Sequence, residues 1–334
     1  MPSPFVLPRF RGLASTSSRD LRLLVMNLVF CGTPAFAVPT LEKLVDAGFL
    51  VQLVVTQPDR ARGRGMEVAL SPVKQAASRL NLEVTQPEKI KNNDEFRQKL
   101  TELKPDAIIV VGYGRIIPQW MIELPGLGNI NLHGSLLPKY RGAAPIQWAI
   151  ACGESKTGVT TMRIDAGLDT GDILLQKEIS IESHDTALTL APRLAEIGSD
   201  LMIETLRGLQ AGTLRAKPQD NANATLAPIL KKEEGRIDFN RAADDIYNRL
   251  RGFQPWPGAF TVFRGKNLSV WQAKTLQHDL AEARIQVEGD HLLVGCGKAS
   301  SLELLEVQPE GKKRMSAHDF IQGYRPRDGE KLGA

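Results

Sequence analysis

From Met26 onward the chain alternates two hydrophobic patterns. Residues 27–31, "NLVFC", form a near-continuous apolar run closed by Gly-Thr-Pro, which predicts a strand buried on both faces. The segment "FAVPTLEKLVDAG" places its apolar residues at helical spacing and stops at Gly48. The runs "FLVQLVVTQ", "DAIIVVG", "GNINLH", "TGVTTMRID" and "DILLQKEISI" continue the series of strands. Helical patterns lie between them at 72–80, 93–103, 143–151 and 186–207. Strands alternating with helices of this length predict an α/β domain with a doubly wound, mostly parallel sheet. Ligands of such sheets bind beyond the carboxyl ends of the strands.

After about residue 208 the texture changes. Residues 208–230 are rich in Ala, Gly, Asn and Pro and read as a linker. A helix-like "RAADDIYNRLRGF" follows, then the short β runs "GAFTVFRG", "NLSVWQAK", "ARIQVEG", "HLLVGCG" and "SLELLEVQ". Short strands punctuated by glycine predict a small barrel, OB-like, or an open sheet. The division expected is a sheet domain at 26–207, a linker at 208–230 and a β domain at 231–330. Residues 1–25 hold four arginines, one acid and three prolines, and "MNLVFCGTP" starts abruptly as a strand after them. They are expected to be a disordered or mis-started leader, with an organelle transit peptide as the alternative.

Composition adds little that discriminates. With 42% hydrophobic and 24% charged residues, 334 residues can bury two cores. A net charge of +4 permits an anionic partner without demanding one. Cys31, Cys152 and Cys296 fit no CxxC pattern, which argues against a disulfide framework or thiolate metal site and points to a reducing compartment. Cys152, inside a predicted helix, is expected to be a small buried residue. No apolar run approaches the roughly 18 residues of a membrane span.

The stretch "NINLHGSLLPKYRGAAPIQWAI" (129–150) carries the candidate chemistry. Residues i and i+2 of a strand share a face, so Asn131 and His133 point the same way just where the strand ends. Both can donate hydrogen bonds, and two donors aimed at one point suit an oxygen that becomes negative in a transition state. A carboxylate to orient the imidazole would come from "DAGLDTGD", where Asp165, Asp169 and Asp172 are rivals. The same residues also fit ordinary turn chemistry. No second histidine stands at ligand spacing, so no metal is expected. Within this Rossmann-like arrangement, "VFCGTPAFAVPTLEKL" lacks GxGxxG and does not read as a dinucleotide site.

"NLHGSLLPKYRGAAPIQWAI" followed by "GVTTMRIDAGLDTGDIL" resembles the folate-dependent formyltransferases, whose pattern is Asn-x-His, Ser-Leu-Leu-Pro and a downstream Asp. The resemblance implies that Asn131, His133 and Asp169 are catalytic. It implies further that Ser135, Leu136, Leu137 and Pro138, with Gly112, Tyr113 and Gly114, line the site of 10-formyltetrahydrofolate as co-substrate. The signature is strong for the reaction and weak for the acceptor. "TQPDRARGRGMEVALSPVK" (56–74) is similar to an arginine-bearing loop of the branch that formylates methionyl-initiator tRNA. "KKEEGRIDFNRAADDIYNRLRGFQPWPGAF" and "GKKRMSAHDF" resemble the two ends of that branch's C-terminal domain. Arg60, Arg62 and Arg64 would then meet tRNA phosphates. Lys231, Lys232, Arg249, Arg251, Lys312, Lys313 and Arg314 would extend the track. The alternative acceptor is an amino-sugar nucleotide. A monomer in the cytoplasm is expected, or in an organelle matrix if the leader is a transit peptide.

Overall fold

The computed structural model describes residues 26–62 and 67–333. The predicted leader and Arg64 lie outside them. The first sheet is built from β1 (Asn27–Gly32), β2 (Leu50–Val55), β5 (Val84–Thr85), β6 (Ala107–Val111), β7 (Asn129–His133), β9 (Lys156–Arg163) and β10 (Ile173–Ser180), in the order β10-β9-β7-β6-β1-β2-β5. Its five strands from β7 to β5 are parallel, and β9 and β10 run antiparallel at one edge. The short segment 164–172 between β9 and β10 cannot hold a crossover helix, so those two strands pair as neighbours.

The near-continuous apolar strands are explained by burial on both faces. Leu28 and Phe30 of β1 join one core and Val29 and Cys31 the other, in alternation. The first core is covered by α1 (Val38–Asp46), α2 (Pro72–Arg79), α5 (Pro145–Ala151) and α6 (Ala187–Gln210), through side chains such as Leu41, Val73, Ile150 and Leu194. The second is covered by α3 (Asp94–Leu103) and α4 (Gln119–Ile122), through Phe96, Leu100 and Met121. Helix starts follow the sequence chemistry: the side chains of Ser71 and Asn93 accept from the backbone N–H of Lys74 and Phe96. Helix α6 lies directly behind β7, so close that a Cβ on Gly198 would stand 2.7 Å from Leu132 Cδ2.

The Gly-rich arginine segment contains an unforeseen ribbon, β3 (Arg60–Arg62) paired antiparallel with β4 (Glu67–Ala69). At its root Asp59 pairs with Lys74 and accepts from Gln86 Nε2 at 2.9 Å.

The C-terminal domain is an antiparallel sheet of β12 (Ala259–Phe263), β13 (Lys266–Leu276), β16 (Ser300–Pro309), β15 (His291–Cys296) and β14 (Ile285–Glu288), in that order, with β17 (Met315–Ser316) on β16. Its core, including Leu250, Phe263, Val270, Leu302 and Phe320, is covered by α7 (Ala243–Gly252) and α8 (Ala317–Tyr324). The final residues close the gap between the edge strands. Ile285 N donates to Glu330 O and Gly329 N to Ile285 O, while Gly333 N donates to Val262 O of β12.

The two domains meet where α5 packs on α7. A Cβ on Gly252 would lie 2.6 Å from Gln147 O, so this crossing requires glycine. Trp148 and Phe253 meet edge to face at 5.3 Å, with Arg249 over both rings. Arg251 is buried and donates to the carbonyls of Glu182 and Asp185 at 3.2 and 2.7 Å. Arg249 and Arg251 therefore serve the joint between domains, whereas the sequence placed them on an RNA track. Cys152 is exposed rather than buried, because it caps the C-terminus of α5 beyond the last packed turn.

Candidate active site

β7 alternates as the pattern predicted: Ile130 and Leu132 enter the first core, and Asn129, Asn131 and His133 take the opposite face. Asn129 is consumed structurally, its amide donating to Met121 O and Ile122 O of α4. Asn131 is 9% exposed, and its side chain has no hydrogen-bond partner among the described residues. A buried carboxamide normally finds partners, so an open one at a strand end is available to a ligand.

His133 is held more firmly. Its Nε2 lies 2.9 Å from Tyr140 O, and a carbonyl can only accept, so Nε2 carries a proton. Nδ1 is the nitrogen left for chemistry, and Asp169 Oδ2 stands 3.7 Å from it. The same carboxylate oxygen accepts from Gly142 N at 2.8 Å. The three rival aspartates separate clearly. Asp165 turns inward on its own loop, accepting from Thr170 Oγ1 at 2.8 Å and Gly167 N at 3.1 Å. Asp172 contributes its backbone carbonyl to Arg163 N. Asp169 alone of the three is paired with His133.

Both residues that touch the imidazole have left-handed backbone, Tyr140 at φ 61° and Asp169 at φ 51°. Such conformations cost about 1–3 kcal/mol for a non-glycine residue and persist only where neighbours fix them. Tyr140 N donates to Thr225 Oγ1 and its hydroxyl to Glu154, both at 2.8 Å. Burial and the Glu154 carboxylate push the Tyr140 phenol well above its usual range.

The segment after β7 is clamped to the antiparallel edge. Ser135 is fully buried, and its hydroxyl donates to Lys139 O at 2.6 Å. Thr160 Oγ1 donates to Ser135 O and accepts from Leu137 N, and Gln176 Nε2 donates to Leu137 O. Leu137 is buried; Leu136 is half-buried against Gly158 of β9. Next to this, at the end of β6, Gly112 and Gly114 take φ of 55° and 73°. Gln57 Nε2 bonds Tyr113 O at 2.8 Å, tying the turn to the chain that leaves β2 toward the arginine ribbon. The Tyr113 ring itself sits in the second core, 1% exposed, and burial pushes its phenol upward. Arg60 and Arg62 lie on β3, opposite Ala69 and Glu67.

Sequence reasoning missed the partners that hold this site. Thr160, Gln176 and Gln219 are uncharged and far from Asn131 in sequence, and Arg141, inside the motif, gives no sign there of its partners; only the tertiary fold brings them together. Arg141 is 7% exposed, and its Nη2 donates to Gln219 Oε1 and Asn221 Oδ1 at 2.7 and 2.8 Å. Among the described residues no cluster of three or more metal-ligating side chains is present, and no helix is long and apolar enough to cross a membrane.

Comparison with known proteins identifies the family. Residues 26–206 match the family model described as formyl transferase, and residues 229–325 match the formyl transferase C-terminal domain. A methionyl-tRNA formyltransferase of Koribacter versatilis is 67% identical over 308 residues, covering 92% of this chain and 99% of that protein. That of Acidobacterium capsulatum is 60% identical over 311 residues, covering 92% and 100%. Among solved structures, an N-formyltransferase from Helicobacter canadensis in complex with folinic acid and dTDP-3-aminofucose superposes with a TM-score of 0.64 at 19% identity. That match covers 85% of this chain and 100% of the other. The sugar 3N-formyl transferase WlaRD superposes with a TM-score of 0.62 at 18% identity, covering 87% and 99%. These distant structures share the fold; the sequence relatives share nearly the whole chain, which belongs to the methionyl-tRNA formyltransferase family.

Proposed function

We propose that Asn131, His133 and Asp169 transfer the formyl group of 10-formyltetrahydrofolate to the amino group of methionyl-initiator tRNA. The observation that carries this assignment is the open amide of Asn131 beside an imidazole oriented by Tyr140 O and faced by Asp169. Asn131 Nδ2 and a protonated His133 Nδ1 donate to the formyl oxygen as it gains negative charge. Asp169, through water, takes up the proton released by the attacking amine. The tetrahedral adduct collapses by breaking its bond to N10 of the folate, which leaves as tetrahydrofolate carrying that proton. No nucleophile on the protein is required. Gly112 to Gly114 offer turned backbone groups for a pterin edge, and Leu136 to Pro138 an apolar wall. Ser135 shapes that wall from below through its bond to Lys139 O.

Arg60, Arg62 and Arg64 supply the charge for the tRNA acceptor arm. The working place is the cytoplasm. The test is transfer from 10-formyltetrahydrofolate by the purified protein to methionyl-initiator tRNA and, separately, to an amino-sugar nucleotide. The tRNA should be the acceptor, and Arg64→Ala should depress its use by about tenfold or more while leaving hydrolysis of the bare donor unchanged. Transfer to the sugar amine alone, or indifference to Arg64→Ala, would overturn the acceptor assignment.

A further inference from the structure

The interdomain segment does more than span a gap. Lys217 exchanges two backbone hydrogen bonds with Ile173, each of 2.8 Å. β11 (Leu226–Ala227) then pairs in parallel with β8 (Arg141–Gly142), directly after the active-site motif. Between these two attachments stands Gln219. Its Nε2 donates to Asp169 O at 2.9 Å and Gly171 O at 2.7 Å. Its Oε1 accepts from Arg141 Nε and Nη2 at 3.1 and 2.7 Å. A guanidinium only donates, so Arg141 fixes which end of the carboxamide faces the loop, and both N–H groups must point at residues 169 and 171.

We propose that Gln219 is a positioning residue for Asp169, so that the linker between the domains sets the geometry of the catalytic loop; this rests on the reading of Asp169 as the working carboxylate. Asp169 occupies a left-handed backbone conformation that it does not favour alone. The linker holds it from two sides. Gln219 binds its carbonyl, and Gly142 N, whose strand is paired with Ala227, binds its carboxylate. The fit is tight at Gly142, where a Cβ would stand 2.7 Å from Ala227 O. Releasing the carbonyl frees the backbone to rotate, and the carboxylate leaves its place beside His133 Nδ1. Substrate contacts on β6 and after β7 are untouched by that change, so turnover falls and binding does not.

Gln219→Met removes all four hydrogen bonds at similar length. Gln219→Glu keeps an acceptor for Arg141 and deletes only the two donors. Each should lower kcat by about 10–100-fold, the scale of an ångström of misplacement, with KM for donor and tRNA within about threefold of native. Amide exchange across 165–172 should accelerate in both, with residues 129–133 unchanged. Asp169→Asn is measured beside them. Native turnover in Asp169→Asn removes the catalytic carboxylate and this proposal with it. A large loss there, with both Gln219 variants within about twofold of native kcat, removes the proposal alone, as does a rise in KM at constant kcat. If Gln219→Met fails to fold, Gln219→Glu decides by the same criteria.

Discussion

His133 and Glu303 are both 5% exposed, one at the end of a parallel strand and one in the C-terminal sheet, and the protein treats them differently. Burial pushes the Glu303 carboxyl up, but Lys274 and His291, each 2.6 Å away, more than offset it and hold it below the usual carboxylate range. That charge is closed off by its own neighbours. His133 meets a neutral carbonyl on one nitrogen and a carboxylate at 3.7 Å on the other, with an unpaired Asn131 amide on the same face. Hydrogen-bonding capacity has been left unused there at a cost in stability, which is the expected arrangement where the missing partner is a substrate. One domain holds reactive groups open; the other spends its groups on itself.

Exchanging perturbations between the two places tests this contrast. The largest effect is expected at the strand end: His133→Ala and Asn131→Ala should each lower kcat by about two orders of magnitude or more, the scale of a lost oxyanion donor. Thermal unfolding should show little change in either, and near-native kcat in either would erase the contrast. Gly252→Ala comes next, at the joint. Its new methyl meets backbone on α5, so the variant should lose about 1–3 kcal/mol in urea unfolding.

Glu303→Ala should do the opposite of the His133 variant, leaving kcat intact while removing about 1–2 kcal/mol of stability. The figure is modest because Lys274 and His291 are more than half exposed and regain water when the carboxylate is gone. A drop in kcat there would mean that the C-terminal sheet reaches into the chemistry. The smallest effect is in pH dependence. Because the folded pKa of Glu303 is depressed, the unfolded chain binds the extra proton first. The stabilisation is complete above about pH 4.3, the unfolded value, and is lost as pH falls through the lower folded one. Lys274→Met weakens the depression, so acid unfolding followed by circular dichroism should begin at slightly higher pH.

The sheet and its site were legible to different degrees, for physical reasons. Strands buried on both faces announce themselves as apolar runs, and β7 could be read because Asn131 and His133 interrupt such a run at alternate positions. The choice of Asp169 over Asp165 and Asp172 came from resemblance, since spacing in a Gly-rich loop does not say which carboxylate faces the imidazole. Gln219 carried no signal, because a glutamine in an Ala- and Asn-rich stretch looks the same whether it faces water or two carbonyls. Arg251 misled for a related reason: a cation's sequence context does not reveal that carbonyls of the other domain await it. The arginine ribbon and the pairing of β8 with β11 are each two or three residues long, below what periodicity can register.

The closing segment 329–333 has a consequence for handling the protein. Its bonds to Ile285 and Val262 occupy backbone groups that strands β14 and β12 would otherwise present to solvent. A chain trimmed before Gly329 keeps most of its core, but it leaves backbone groups of Ile285 and Val262 unpaired at the two strand margins of one small domain. Bare margins of that kind recruit one another. Trimming should therefore appear first as self-association during concentration, before any loss of melting temperature, and an affinity tag is better placed elsewhere than flush against Leu332.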